Sequence, residues 1–161
     1  VLRLDPGPTE APRLASATDE AFLDGLRGVF EGAGVTLKSI QPHLMAAFNG
    51  FRGSLRQRSA WFALLEPGNL CLALLDRERW VRVRNLRIGS TWREALPTIL
   101  EREAYLAGQP DVPHEVYLWD AESDDAAPPQ ALPWEFHMLS AERVRGGAAP
   151  GRWPFLAAMA G

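Results

Sequence analysis

The sequence predicts an α/β fold with a mixed sheet, in which a three-strand antiparallel meander follows a β-α-β-α portion. Three observations predict it. Residues 59–88 hold three strand-like runs, 60–65, 70–75 and 80–88, joined by Glu66-Pro67-Gly68-Asn69 and Asp76-Arg77-Glu78-Arg79. Both connections have the length and the turn-forming or charged character of hairpin turns. The first two runs are continuously apolar, as in strands covered on both faces. Helical periodicity lies on either side of the meander, the alternation that marks α/β chains.

Taken in order, residues 1–5 suit a short strand that Pro6-Gly7-Pro8 breaks, and extended structure resumes over 13–17. Thr18 and Asp19 suit a helix start, with Glu20 near the positive end of its dipole. Phe22, Leu23, Leu26, Val29, Phe30 and Ala33 then repeat at helical spacing, and Gly34 suits the stop. Gly25, Gly28 and Gly32 form a second, bare stripe, each costing about 1 kcal/mol against Ala. The stripe reads either as a place of close approach or as a weak surface helix. Residues 35–40 alternate and are rich in β-branched side chains, which predicts a strand. Pro42 opens a further helix whose stripe is Leu44, Met45, Phe48, Phe51 and Leu55, with Arg52, Arg56 and Arg58 at its negative end. Residues 13–55 thus predict a β-α-β-α unit with parallel strands and a right-handed crossover.

In the third run of the meander, Val81 and Val83 face one way and Trp80, Arg82 and Arg84 the other. The phase changes near Asn85, which predicts a bulge there. Gly89-Ser90-Thr91 starts a helix carrying Trp92, Leu96, Ile99, Leu100, Glu103 and Leu106 on one side. Pro97 predicts a kink or a start nearer Glu94, and Gly108 ends the helix. Residues 114–119 alternate as a strand, 120–133 form an acidic and then Ala- and Pro-rich loop, and 134–139 form a last strand. Residues 146–151 read as flexible and 154–160 as a short apolar helix.

The chain of 161 residues has a net charge of −3 and a pI near 5.6, which argues against a general nucleic-acid binder. Lys38 is the single lysine among 17 basic residues, a mark of composition bias more than of Arg chemistry. Cys71 is alone, so neither a disulfide framework nor a thiolate zinc site is available. No apolar run reaches the ~20 residues that span a bilayer, so direct membrane insertion is not expected. The first residues lack the basic and apolar regions of a signal peptide, and the start at Val1 rather than Met fits a fragment of a longer protein.

Signatures of catalysis are missing. His43, His114 and His137 have no second ligand at helical spacing, which predicts no metal. No serine sits in a nucleophile elbow. The run from Asp120 to Asp125 resembles a calcium loop, but Asp125 stands where glycine is required and Ala131 where the closing Glu is required. A phosphate-binding turn needs glycine and inward donors. Glu66, Gly68 and Asn69 keep the glycine, while Pro67 removes a donor, so a plain hairpin competes with a disarmed nucleotide-binding remnant. The one concentrated basic patch is Arg82, Arg84 and Arg87, after Arg77 and Arg79. It reads as a solvated sheet face, as a partner-binding surface, or as a site for anionic lipid or nucleic acid. Trp80 within it favours the partner-binding reading, since Arg and Trp are typical interface anchors.

On these residues the chain resembles the actin-like proteins of type IV pilus assembly and type II secretion, of PilM-like, GspL-like and MshI-like type. The likeness runs through residues 13–18, the helix to Gly34, 35–41 before Ala46-Ala47, 61–68, 70–76, and 83–89 with the helix after it. It implies an actin-like or ribonuclease-H-like lobe over 58–161, preceded by part of a first lobe over 1–57. Such a site takes one phosphate turn from each lobe. The first hairpin is absent here, and the second, usually Asp-x-Gly, reads Glu66-Pro67-Gly68. The resemblance therefore implies a non-enzymatic scaffold or adaptor without cofactor, binding the cytoplasmic segment of an inner-membrane pilus or secretion protein. It would sit in the cytoplasm, peripheral to the inner membrane through its partners, and a homodimer is compatible with that role. The alternative is one lobe of an actin-like ATPase or sugar-kinase-like enzyme whose other half is missing from this chain.

Overall fold

The computed structural model describes residues 1–4, 13–77, 79–109, 111–121 and 127–140. Residues 146–151, Trp153, the apolar tail 154–160 and most of the calcium-like acidic run lie outside them.

Strands β1 (Leu2–Leu4) and β2 (Ala15–Ala17) pair antiparallel in a small sheet of their own. Helix α1 (Glu20–Gly32) follows, capped as expected by Asp19, whose carboxylate accepts the Phe22 N–H at 3.2 Å. The strand expected at 35–40 does not form. Gly34, at φ +69°, closes α1 with a Schellman motif: Gly34 N–H donates to Glu31 O and Val35 N–H to Phe30 O. Val35 is thereby consumed by the helix end, and β2 spends its pairing on β1. The β-α-β-α unit with parallel strands is replaced by an antiparallel pair, a helix, an irregular connection and a second helix. Among the described residues, a Cβ at Gly25, Gly28 or Gly32 of the bare stripe would meet nothing within 4 Å. Only Leu23 of this helix is buried, while Phe22 and Val29 remain 61% and 70% exposed.

Helix α2 (His43–Leu55) begins after Pro42 and leads into β3 (Ala60–Glu66), β4 (Asn69–Asp76) and β5 (Arg79–Arg87). These three strands form the expected antiparallel meander, with Trp61, Cys71 and Val83 on successive neighbours. Helix α3 (Trp92–Ala107) runs through Pro97 from its start at Trp92 and ends at Gly108, at φ +63°. Strand β6 (Glu115–Asp120) then lies parallel to β3, and β7 (Glu135–Met138) parallel to β6. The resulting five-stranded mixed sheet has the order β5-β4-β3-β6-β7.

The apolar runs of β3 and β4 are explained by a core on each face. Toward α2, Phe48, Phe51 and Leu55 pack with Phe62, Leu64, Cys71, Ala73, Trp80, Tyr117 and Trp119. Toward α3, Leu96 and Leu100 pack with Trp61, Leu65, Leu72, Leu74, Val116, Leu118 and Trp134. The strand pleat sends alternate side chains into each core. Helix α2, expected within the 1–57 portion, packs directly on this sheet.

The bulge falls at Val81, not near Asn85. The register passes from Leu74 opposite Arg82 to Leu75 opposite Trp80, leaving Val81 as the extra residue. This shift sends Trp80 to the α2 side, where its ring lies 4.7 Å from that of Phe48, while Val81 packs on the α3 side.

Candidate functional site

The turn between β3 and β4 holds Pro67 and Gly68, with Gly68 at φ +69°. Proline followed by a residue of positive φ is the type II combination, and that φ, not close packing, is what requires glycine there. The other residues of the turn are already engaged. Glu66 Oε1 lies 2.6 Å from His43 Nδ1, and Asn69 Nδ2 donates to Glu66 Oε2 at 3.4 Å. The His43 ring stands edge-on to Trp119 at 5.3 Å. Glu66, Gly68 and Asn69 thus form a closed hairpin with its carboxylate turned toward α2. Cys71 beyond it is inert: burial, and next the Glu66 charge, push its thiol up to about 11.

The arginines of β5 do not act as a simple exposed patch. Arg82 Nε donates to Glu103 Oε2 at 3.0 Å, Arg84 Nε lies 3.6 Å from the same oxygen, and Arg102 Nη2 donates to Oε1 at 3.0 Å. Glu103 on α3 is wholly buried. Burial alone would raise its pKa; hydrogen bonds from Arg82 and Arg102, with the charges of Arg82 and Arg84, outweigh that and hold it low. Arg82 and Arg84 therefore fasten β5 to α3. Trp80, expected at the surface as an anchor, is 8% exposed and belongs to the core. Trp119 and Trp134 are buried as well. Glu103 was visible in the apolar stripe of its helix. An acid there is the signal that could have located the partners of the arginines.

What β5 does offer is an edge. It ends the sheet, and no described strand pairs with its outer side. Ile88 N–H donates to Gly68 O at 3.1 Å. The two-residue alternation of an antiparallel ladder then aims the amides of Leu86, Arg84 and Arg82 at β4. It turns those of Val83, Asn85 and Arg87 outward. Arg79, Arg84, Asn85 and Arg87 are exposed along this strand.

At the opposite end of β3 from the Pro67-Gly68 turn, two further groupings occur. A cleft of about 830 Å³ is lined by Ser59, Asp76, Arg77, Tyr105, Asp111 and His114 among others. Its Ser59 hydroxyl donates to Asp76 Oδ1 at 2.8 Å, and Arg79 Nη2 donates to Oδ2 at 2.7 Å. The Arg79 bond foremost, then that from Ser59, lowers the Asp76 pKa. The His114 ring stands against Trp134, and no hydrogen bond joins it to Ser59. On the α2 face, Glu115, Glu135 and His137 bring one ligand atom each within 4.8 Å of one another. The members of this trio lie on neighbouring strands and not at helical spacing. Its signal is the strand period, with Glu135 and His137 two residues apart on one face.

No protein-family model and no curated protein matches the chain. Among the described residues, no helix is long and apolar enough to cross a membrane.

Proposed function

We propose that the chain is a non-catalytic adaptor that takes an acidic, extended segment of a partner protein as an added strand on β5. The observation that carries this reading is the nine-residue edge strand with outward amides at Val83, Asn85 and Arg87. An unpaired edge is a template for strand addition, with main-chain hydrogen bonds supplying affinity and alternate side chains specificity. The exposed Arg87 on this strand selects acidic partners and steers their approach.

A pilus or secretion platform, with the segment coming from an inner-membrane protein, is the setting that the family resemblance supplies. The finer fold reading, an actin-like or ribonuclease-H-like lobe, is supported by the meander, the helix after it and the parallel β6. The engaged state of Glu66 and Asn69, and the donor missing at Pro67, favour an adaptor over an ATPase lobe. The test is fluorescence anisotropy with a short labelled peptide of alternating Glu and Val. Binding is expected at low salt, weakened roughly tenfold by Arg87→Glu and further by added salt. Equal binding by the Arg87→Glu variant contradicts the proposal.

A further inference from the structure

We infer that Glu115, Glu135 and His137 form a surface site for a divalent cation of the zinc type, gated by Arg58. The site follows from register. Strands β6 and β7 are parallel, with Glu115 opposite Glu135 and Tyr117 opposite His137. The pleat places all four side chains on the α2 face. Two carboxylates and an imidazole are thus presented by neighbouring rungs of a ladder, which holds them more firmly than a loop could. Their ligand atoms already lie within 4.8 Å of one another. Tetrahedral coordination at about 2.0–2.2 Å places ligand atoms roughly 3.4 Å apart, a closure that side-chain rotation supplies.

The surroundings are built for a cation as well. The His137 ring stacks on Tyr117 at 4.8 Å with an interplanar angle of 24°, which fixes the ring plane. Among the described residues, no hydrogen bond or ion pair reaches the Glu135 carboxylate or the His137 nitrogens. Glu115 is held by the cation already present. Arg58 Nη1 donates to both of its oxygens at 3.1 Å, and Tyr117 Oη donates to Oε2 at 3.2 Å. The Arg58 side chain is 52% exposed, and an ion pair so open to water is weak. A divalent ion gains two carboxylates and an imidazole by displacing it, and Arg58 swings into solvent. A mixed nitrogen and oxygen set suits zinc and its neighbours in preference to magnesium or calcium, which take oxygen ligands. Three protein ligands leave the remaining positions open to water or to a ligand from a partner.

The experiment is calorimetric titration of the chain with zinc chloride, beside Glu135→Gln, His137→Ala, Arg58→Ala and His114→Ala. One zinc is expected to bind. Affinity falls at least roughly tenfold in Glu135→Gln and His137→Ala, and rises severalfold in Arg58→Ala. His114→Ala, whose ring faces Trp134, leaves it unchanged. The opposite sign of the Arg58 change cannot come from lost folding, and thermal melts of the two exposed ligand variants match the parent. No binding, or binding indifferent to His137→Ala and Arg58→Ala, overturns the inference.

Discussion

At the scale of single residues, Glu103 organises more of this molecule than any other polar group described. A carboxylate with no exposure is tolerated because three guanidinium groups reach it, and removing partners leaves a buried charge under-compensated. The double substitution Arg82→Ala with Arg84→Ala is therefore expected to destabilise the fold by about 2–3 kcal/mol, read as a lower urea midpoint. An unchanged midpoint would show that Arg102 alone satisfies Glu103. Acid should reveal the same group. Its folded pKa lies below its ordinary value of 4.5. Its contribution to stability is thus complete above 4.5 and fades as pH falls through the lower, folded value. Thermal melts from pH 6 downward are expected to stay level and then drop below about pH 4.5, with Glu103→Gln flattening the drop. A parent curve no steeper than that of the variant would contradict this assignment. The basic patch was legible in the sequence. Its purpose was not, because the partner sits 21 residues away on another element.

At the scale of elements, β3, β4 and β6 were readable because each carries an alternating period or an uninterrupted apolar run. The miss at 35–40 has a local cause: the Gly34 helix end takes the Val35 amide before a strand can start. The miss at Val81 is subtler. Alternation read straight through Trp80 places it with Arg82 on one face, and a bulge of one residue reverses that. Trp80 then fills the α2 core beside Phe48. Trp80→Ala is expected to cost about 3–5 kcal/mol by emptying that space, measured by chemical denaturation. A loss under about 1 kcal/mol would return Trp80 to the surface role that its neighbours in sequence suggested.

For the whole molecule, the sheet carries a core on each face and ends in the arginine-bearing strand β5 on one side and β7 on the other. Helices α2 and α3 cover the two cores, and among the described residues β5 with its outward amides and the polar groups at the ends of the strands are available for recognition. Hydrophobic pattern specified the layers, since burial is what the pattern encodes. The strand period puts Glu135 and His137 on one face, but the approach of Glu115 to them and the closed state of the Pro67-Gly68 hairpin depend on pairing between distant segments, which no periodicity records. Asn85→Pro tests the adaptor account most directly, because it deletes an outward donor while sparing every bond from β5 to β4. The acidic strand peptide, followed by amide exchange, should slow Val83, Asn85 and Arg87 in the parent. It should bind Asn85→Pro at least roughly tenfold more weakly at an unchanged melting temperature. Full binding by an intact Asn85→Pro protein, or protection that spares β5, would contradict the account.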